Sequence, residues 1–230
     1  VNAPTETFDK RLSQLREDLL TQADRVLELL SRAVESYFEL DSRKADEVVR
    51  GDEVIDRVDV GIERASIPLL AMGVTDEHEI RSVLTVVKIN NELERIADCA
   101  VEIAEIVRKY PDVPETVPAT FRVMANSVIG MLRDANRSLS RFDQNLAEKV
   151  LAFDDAMVQF KGEIVLNAQK KVAEGNFSAS FSIQLINVTC LLDRVADHTT
   201  NICEQVIYLQ SGLIVKHLPA GWSKPERPRM

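Results

Sequence analysis

The sequence predicts an all-α fold: two tandem antiparallel three-helix bundles related by internal pseudo-symmetry, with six long helices in all. Three observations carry that prediction. The first is an internal repeat. Leu93-Glu94-Arg95-Ile96-Ala97-Asp98 returns 99 residues later as Leu192-Asp193-Arg194-Val195-Ala196-Asp197, and Ile103 with Ile202, Glu105 with Glu204 and Val107 with Val206 keep the same offset. The second is composition: 45% of residues are apolar but only 5% are aromatic, and a chain of Leu, Val, Ile and Ala set among charges suits helix bundles. The third is the placing of proline. Pro4 lies near the start, Pro111, Pro114 and Pro118 cluster at mid-chain, Pro219, Pro225 and Pro228 fall near the end, and Pro68 alone stands elsewhere. Because proline disrupts helix interiors, the long stretches without it are read as helical.

The repeat divides the chain into a first bundle at residues 1–110, a proline-rich linker at 111–118, a second bundle at 119–214 and an extended, mobile tail at 215–230. The first helix, about 6–39, places Leu12, Leu15, Leu19, Val26, Leu29 and Ala33 at steps of three and four, with Gln22 filling a gap in the stripe. Asp41-Ser42 supplies an N-cap for a second helix that runs to about Leu70. Gly73 and Thr75 mark a turn, and Thr75-Asp76-Glu77-His78 opens a third helix whose apolar face includes Val83, Leu93, Ile96 and Val107. Past the linker the triplet recurs at about 118–140, 144–174 and 178–211, with Gly175-Asn176 and Gly212 as stops.

Formal net charge is −9, and it lies in residues 1–108, which hold 14 basic against 24 acidic side chains. Nucleic acid and anionic membrane surfaces require basic clusters, so neither is expected as a direct partner. Cys99, Cys190 and Cys203 are odd in number and lack zinc or disulfide spacing. No apolar run approaches the ~20 residues of a membrane span, and the start, with Glu6 and Asp9, lacks the basic and apolar regions of a signal peptide. A cytoplasmic protein without membrane insertion is expected.

The repeated motif is an acid, three residues, then Asp, and carboxylates four apart share a helix face. Glu94, Asp98 and Glu102 stand at i, i+4 and i+8, and Asp52 and Asp56 repeat the spacing on the preceding helix. Five such carboxylates repel one another, and a hard metal cation relieves that repulsion through oxygen ligands supplied by facing helices. A solvated acidic face accounts for the same pattern, and the residues alone leave both readings open. The second half offers Asp155, Asp193 and Asp197, but Gln159 and Asn201 stand where the first has Asp56 and Glu102. Fewer charges there predict weaker or absent metal. His198 reads as a nitrogen ligand or as a hydrogen-bond partner, and Arg95 and Arg194 as salt-bridge residues or phosphate contacts. No G-x-S-x-G elbow, glycine-rich phosphate loop or Glu-x-x-His di-iron motif occurs, so no enzyme activity is expected.

These residues carry a resemblance. The paired motifs, the run Arg194-Val195-Ala196-Asp197-His198-Thr199-Thr200-Asn201-Ile202-Cys203-Glu204-Gln205-Val206-Ile207-Tyr208 and the second-helix segment Gly51-Asp52-Glu53-Val54-Ile55-Asp56 resemble the PhoU family, bacterial regulators of phosphate uptake and phosphate-starvation signalling. The likeness spans about residues 6–217. It implies two three-helix bundles and metal cations (iron, manganese, magnesium or zinc) held by carboxylate clusters. Carried onto this sequence, the metal residues would be Asp52, Asp56, Glu94 and Asp98 in the first half and Asp155, Asp193 and Asp197 in the second, where Gln159 departs from the pattern.

The resemblance also implies an adaptor, a homodimer, that contacts the ATPase subunit of a phosphate ABC transporter and a phosphate-sensing histidine kinase and damps both when phosphate is plentiful. The alternative from another class is carboxylate-bridged metal storage or a metal-dependent enzyme on the same scaffold.

Overall fold

A computed structural model describes residues 3–73, 75–110 and 115–215, with side chains described from residue 8 onward. Seven helical segments appear among them: α1 (Ala3–Glu39), α2 (Ser42–Ala71), α3 (Glu77–Lys109), α4 (Ala119–Arg141), α5 (Gln144–Ala152), α6 (Asp154–Ala173) and α7 (Ala179–Ser211). Side chains fix most of the starts. Asp41 accepts from the Arg43 and Lys44 amides before α2, Asp76 from Glu79 before α3, Asp143 from Leu146 before α5, and Ser178 from Phe181 before α7. Each satisfies a helix N–H that has no partner within its own helix.

One expected helix is broken. The single rod predicted over 144–174 parts at Phe153, whose N–H turns back to Val150 O at 3.1 Å in a tightened turn. Asp154 and Asp155 then occupy the first turn of α6, where acidic side chains favour a fresh N-terminus. α5 and α6 together still form the middle rod of the second triplet, so the three-plus-three plan holds.

Side-chain contacts set the directions. Gln22 Nε2 donates to Ile55 O, and Asn90 Nδ2 donates to Asp59, so α2 runs antiparallel to α1 and to α3. Lys161 meets Asp193, placing α6 antiparallel to α7. The triplets join through two antiparallel seams. The Tyr37 and Phe121 rings pack at a tilt with centroids 5.4 Å apart between α1 and α4, where Asn136 Nδ2 also donates to Ala23 O at 2.8 Å. Arg194 meets Glu102 between α7 and α3. The four inner helices therefore form a closed ring, with α2 on one flank and α5/α6 on the other.

A continuous apolar core runs through both triplets, from Phe8 to Val215. Leu93, Ile96, Leu192 and Val195, the apolar positions of the repeated motif, are all 0% exposed, and burial of each such side chain contributes roughly 1.5–3 kcal/mol. Gly51 marks a close approach: a Cβ there would lie 3.0 Å from Leu29 Cδ1 of α1, so the leucine side chain would have to give way by a few tenths of an ångström. Gly212 closes α7 at φ +71, a left-handed conformation that glycine adopts without a side-chain penalty. The segment 115–118 is non-helical, and Pro118 precedes the first turn of α4. The rest of the expected linker, 111–114, and the expected tail beyond Val215 lie outside the described residues.

Candidate functional site

α2 and α3 present their acids to one another along an antiparallel contact. Two links hold the register: Asn90 Nδ2 donates to Asp59 Oδ1 at 2.6 Å, and Arg108 Nε lies 2.8 Å from Asp46 Oδ1. Between these links Asp52 and Asp56 of α2 come opposite Glu94 and Asp98 of α3. Their electrostatics record the proximity. Burial, then repulsion from Asp56 and Asp98, pushes Asp52 up to about 6. Glu94 is raised by burial and by Asp98, with Arg95 opposing the shift. Arg95 lies 3.4 Å from Glu94 and 3.5 Å from Asp98, and its side chain is half exposed.

The acidic line on α2 is longer than the motif indicated. Asp59 is raised by burial and by repulsion from Glu63 and Asp56, so Asp59 and Glu63 belong to the same field. Their spacing, seven and eleven residues beyond Asp52, is the signal that continues the stripe.

Glu102 departs from the expected group. Eight residues of α-helix rotate a side chain about 80° from its starting direction, and this carries Glu102 from the α2 side of α3 to the α7 side. There it meets Arg194 Nη1 at 3.2 Å. Both line a groove of about 450 Å³ between α3 and α7, together with Glu105, Lys109, Tyr110 and Cys190.

The second copy is built differently. Asp155 and Gln159 are exposed on α6, while Asp193 of α7 is 18% exposed and receives Lys161 Nζ at 2.6 Å. That bond, with further attraction from Cys190 and Asp197, raises the Lys161 pKa. His198 turns one ring nitrogen toward α3. Its Nδ1 lies 2.8 Å from Glu92 Oε2 of α3, and Asn201 Nδ2 donates to the same oxygen at 3.0 Å. Lys161 and Glu92 are the residues that sequence reasoning missed. Glu92 lies 106 positions from His198, and no local pattern links the two.

The donors of the first copy suit a hard cation: carboxylate oxygens, partly exposed, with burial and mutual repulsion acting on Asp52 in the same direction. The second set fits poorly, because a lysine already lies against its most buried acid. As the side chains stand, no group of three His, Cys, Asp or Glu among the described residues is gathered so as to hold a metal ion. Among the same residues no helix is long and apolar enough to cross a membrane.

Known proteins share this plan. The chain is 28% identical to the phosphate-specific transport system accessory protein PhoU homolog 1 of Thermotoga maritima, over 93% of each chain. It is 31% identical to the phosphate-specific transport system accessory protein PhoU homolog of Aquifex aeolicus, over 90% of this chain and 95% of that one. The crystal structure of PhoU from Pseudomonas aeruginosa superposes with a TM-score of 0.86 at 25% identity, covering 90% of this chain and 100% of the other. The model of the PhoU domain matches twice, at residues 19–107 and 121–206. Each match covers one helical triplet together with its acidic motif, and the chain belongs to the PhoU family.

Proposed function

We propose that this protein is a cytoplasmic accessory regulator of a phosphate ABC transporter, acting by binding and not by turnover, and that it carries a hard metal cation on its α2/α3 face. Its family membership supports the transport role, since the relatives described above are named accessory proteins of phosphate-specific transport systems. The cation reading rests on one observation: Asp52, Asp56, Glu94 and Asp98 share a field in which burial and repulsion raise Asp52 to about 6. A divalent ion removes that repulsion. Carboxylates near the surface reorient at small cost in rotamer freedom, so a cation can draw them together. Magnesium, manganese, iron and zinc all accept oxygen donors of this kind.

The partners proposed are the transporter's ATPase subunit and a phosphate-sensing histidine kinase, both damped when phosphate is plentiful. Long helices expose continuous faces, and the charge of −10 that residues 1–108 carry (14 basic, 24 acidic) favours a basic partner surface. The cation would neutralise part of that charge and so tune the contact.

The test combines metal content with partner capture. The wild type should retain metal through desalting, measured by elemental analysis, and should capture the purified ATPase subunit. Asp52→Asn with Asp98→Asn should lose the metal and change the capture. Equal metal in both proteins would reject the α2/α3 site. Unchanged phosphate uptake after deletion of the gene from its host would reject the regulatory role.

A further inference from the structure

We infer that Lys161 is a tethered counter-ion that closes the second acidic motif to metal cations, so that the two bundles share a plan but differ in what they bind. This rests on the cation reading proposed for the first bundle and concerns the place where that reading does not transfer. Lys161 Nζ lies 2.6 Å from Asp193 Oδ2, against the acid that is only 18% exposed. Asp197 acts on the same ammonium. The counter-charge thus sits within the motif and not at its rim.

Among the described residues the first bundle shows no equivalent. Asp155 and Gln159 stand 103 residues after Asp52 and Asp56, and the same step back from Lys161 leads to Val58, an apolar residue packed on the core. The cation that does approach the first motif, Arg95, is half exposed and makes longer contacts of 3.4 and 3.5 Å. Two substitutions therefore act together in the second bundle. Gln159 removes a carboxylate, and Lys161 neutralises one of those that remain.

A tethered ammonium competes well with a free ion. Its local concentration is fixed by the chain and does not fall when metal is scarce. It is a compact point charge with three donors, suited to a carboxylate pair. A divalent ion would have to displace it and then bind beside the charge it displaced, where like charges repel.

The experiment titrates the full-length protein with Mn²⁺ alone, reading unbound metal by electron paramagnetic resonance. Lys161→Gln should bind a further Mn²⁺ per chain relative to the wild type, Lys161→Arg should not, and adding Asp193→Asn to Lys161→Gln should cancel the gain. Lys161→Met, which keeps the apolar stem, should reproduce the gain if glutamine disturbs packing. Identical Mn²⁺ uptake by the wild type, Lys161→Gln and Lys161→Met overturns the inference. Asp52→Asn with Asp98→Asn in the same titration tests the first-bundle site separately: loss of no Mn²⁺ there rejects that site, while the Lys161 result stands on its own.

Discussion

Arg194 of α7 meets Glu102 of α3 at 3.2 Å, a contact that the repeat would duplicate as Arg95 with Asn201 and does not. Asn201 instead donates to Glu92 at 3.0 Å, and Arg95 turns along its own helix to Glu94 and Asp98. The pseudo-symmetry is thus exact in neither charge nor contact. Arg95 is committed to the first acidic motif, whereas Arg194 is spent on the seam, and the second motif takes its counter-charge from Lys161.

The Arg194–Glu102 contact should contribute little to stability. Both side chains are about half exposed, and exposed ion pairs of this kind contribute ~0.2–1 kcal/mol and weaken with salt. A double-mutant cycle with Arg194→Ala and Glu102→Ala, followed by urea unfolding at low and high salt, should give a coupling in that range that shrinks as salt rises. A large, salt-insensitive coupling would mean that the pair is shielded from solvent.

Acidity should stabilise the fold through Asp52. Its carboxyl titrates at about 6 in the folded protein against 3.8 for the ordinary group, so between those values the folded state holds more protons than the unfolded chain. Linkage then makes the contribution fully present below the lower value and lost as pH rises through the higher one. Glu94 and Asp59 shift in the same direction. Urea midpoints measured across this window should fall with rising pH on account of these groups, and Asp52→Asn should flatten the fall. An unaltered slope in the variant would show that Asp52 is not the group responsible.

Much of this was legible in the sequence because helix bundles are written in local periodicity. The stripe of Leu12, Leu15 and Leu19, the caps at Asp41 and Asp76, and the repeated Leu93 and Leu192 all act within a few turns of their own helix. The break at Phe153 was not legible, since neither glycine nor proline marks it. Glu102 was misplaced because i+8 spacing drifts around the helix, and the drift matters only when a second helix lies on the new side. Lys161 and Glu92 depend on how α6 meets α7 and how the triplets dock. A repeat reveals that two units are alike without fixing the axis that relates them.

The motif's leucines should prove structural in both copies. Leu93 and Leu192 are 0% exposed and occupy the same position 99 residues apart. Truncation leaves a cavity in a core that relaxes only in part, costing roughly 2–5 kcal/mol. Leu93→Ala and Leu192→Ala should each lower the thermal midpoint and by similar amounts, as measured by circular dichroism. A loss confined to one copy would show that the bundles differ in packing as well as in charge.

Glu92 should matter more than the exposed pair beside it. Its Oε2 accepts from Asn201 Nδ2 at 3.0 Å and lies 2.8 Å from His198 Nδ1, and the Glu92 and His198 side chains are only about one-fifth exposed. Glu92→Ala removes the acceptor at a single stroke and leaves two groups of α7 facing a partly dry seam without it. Unsatisfied polar groups in such places cost about 1–3 kcal/mol, above the range expected for Arg194→Ala. Glu92→Gln keeps the size and one carbonyl oxygen, so it should retain part of the stability. The order predicted for urea unfolding is wild type, then Glu92→Gln, then Glu92→Ala, with added hydrogen exchange concentrated on the α3 and α7 amides near Glu92 and His198. If Glu92→Ala unfolds at the wild-type midpoint with no local increase in exchange, water replaces the carboxylate without loss and the α3/α7 seam is held by its apolar side chains alone.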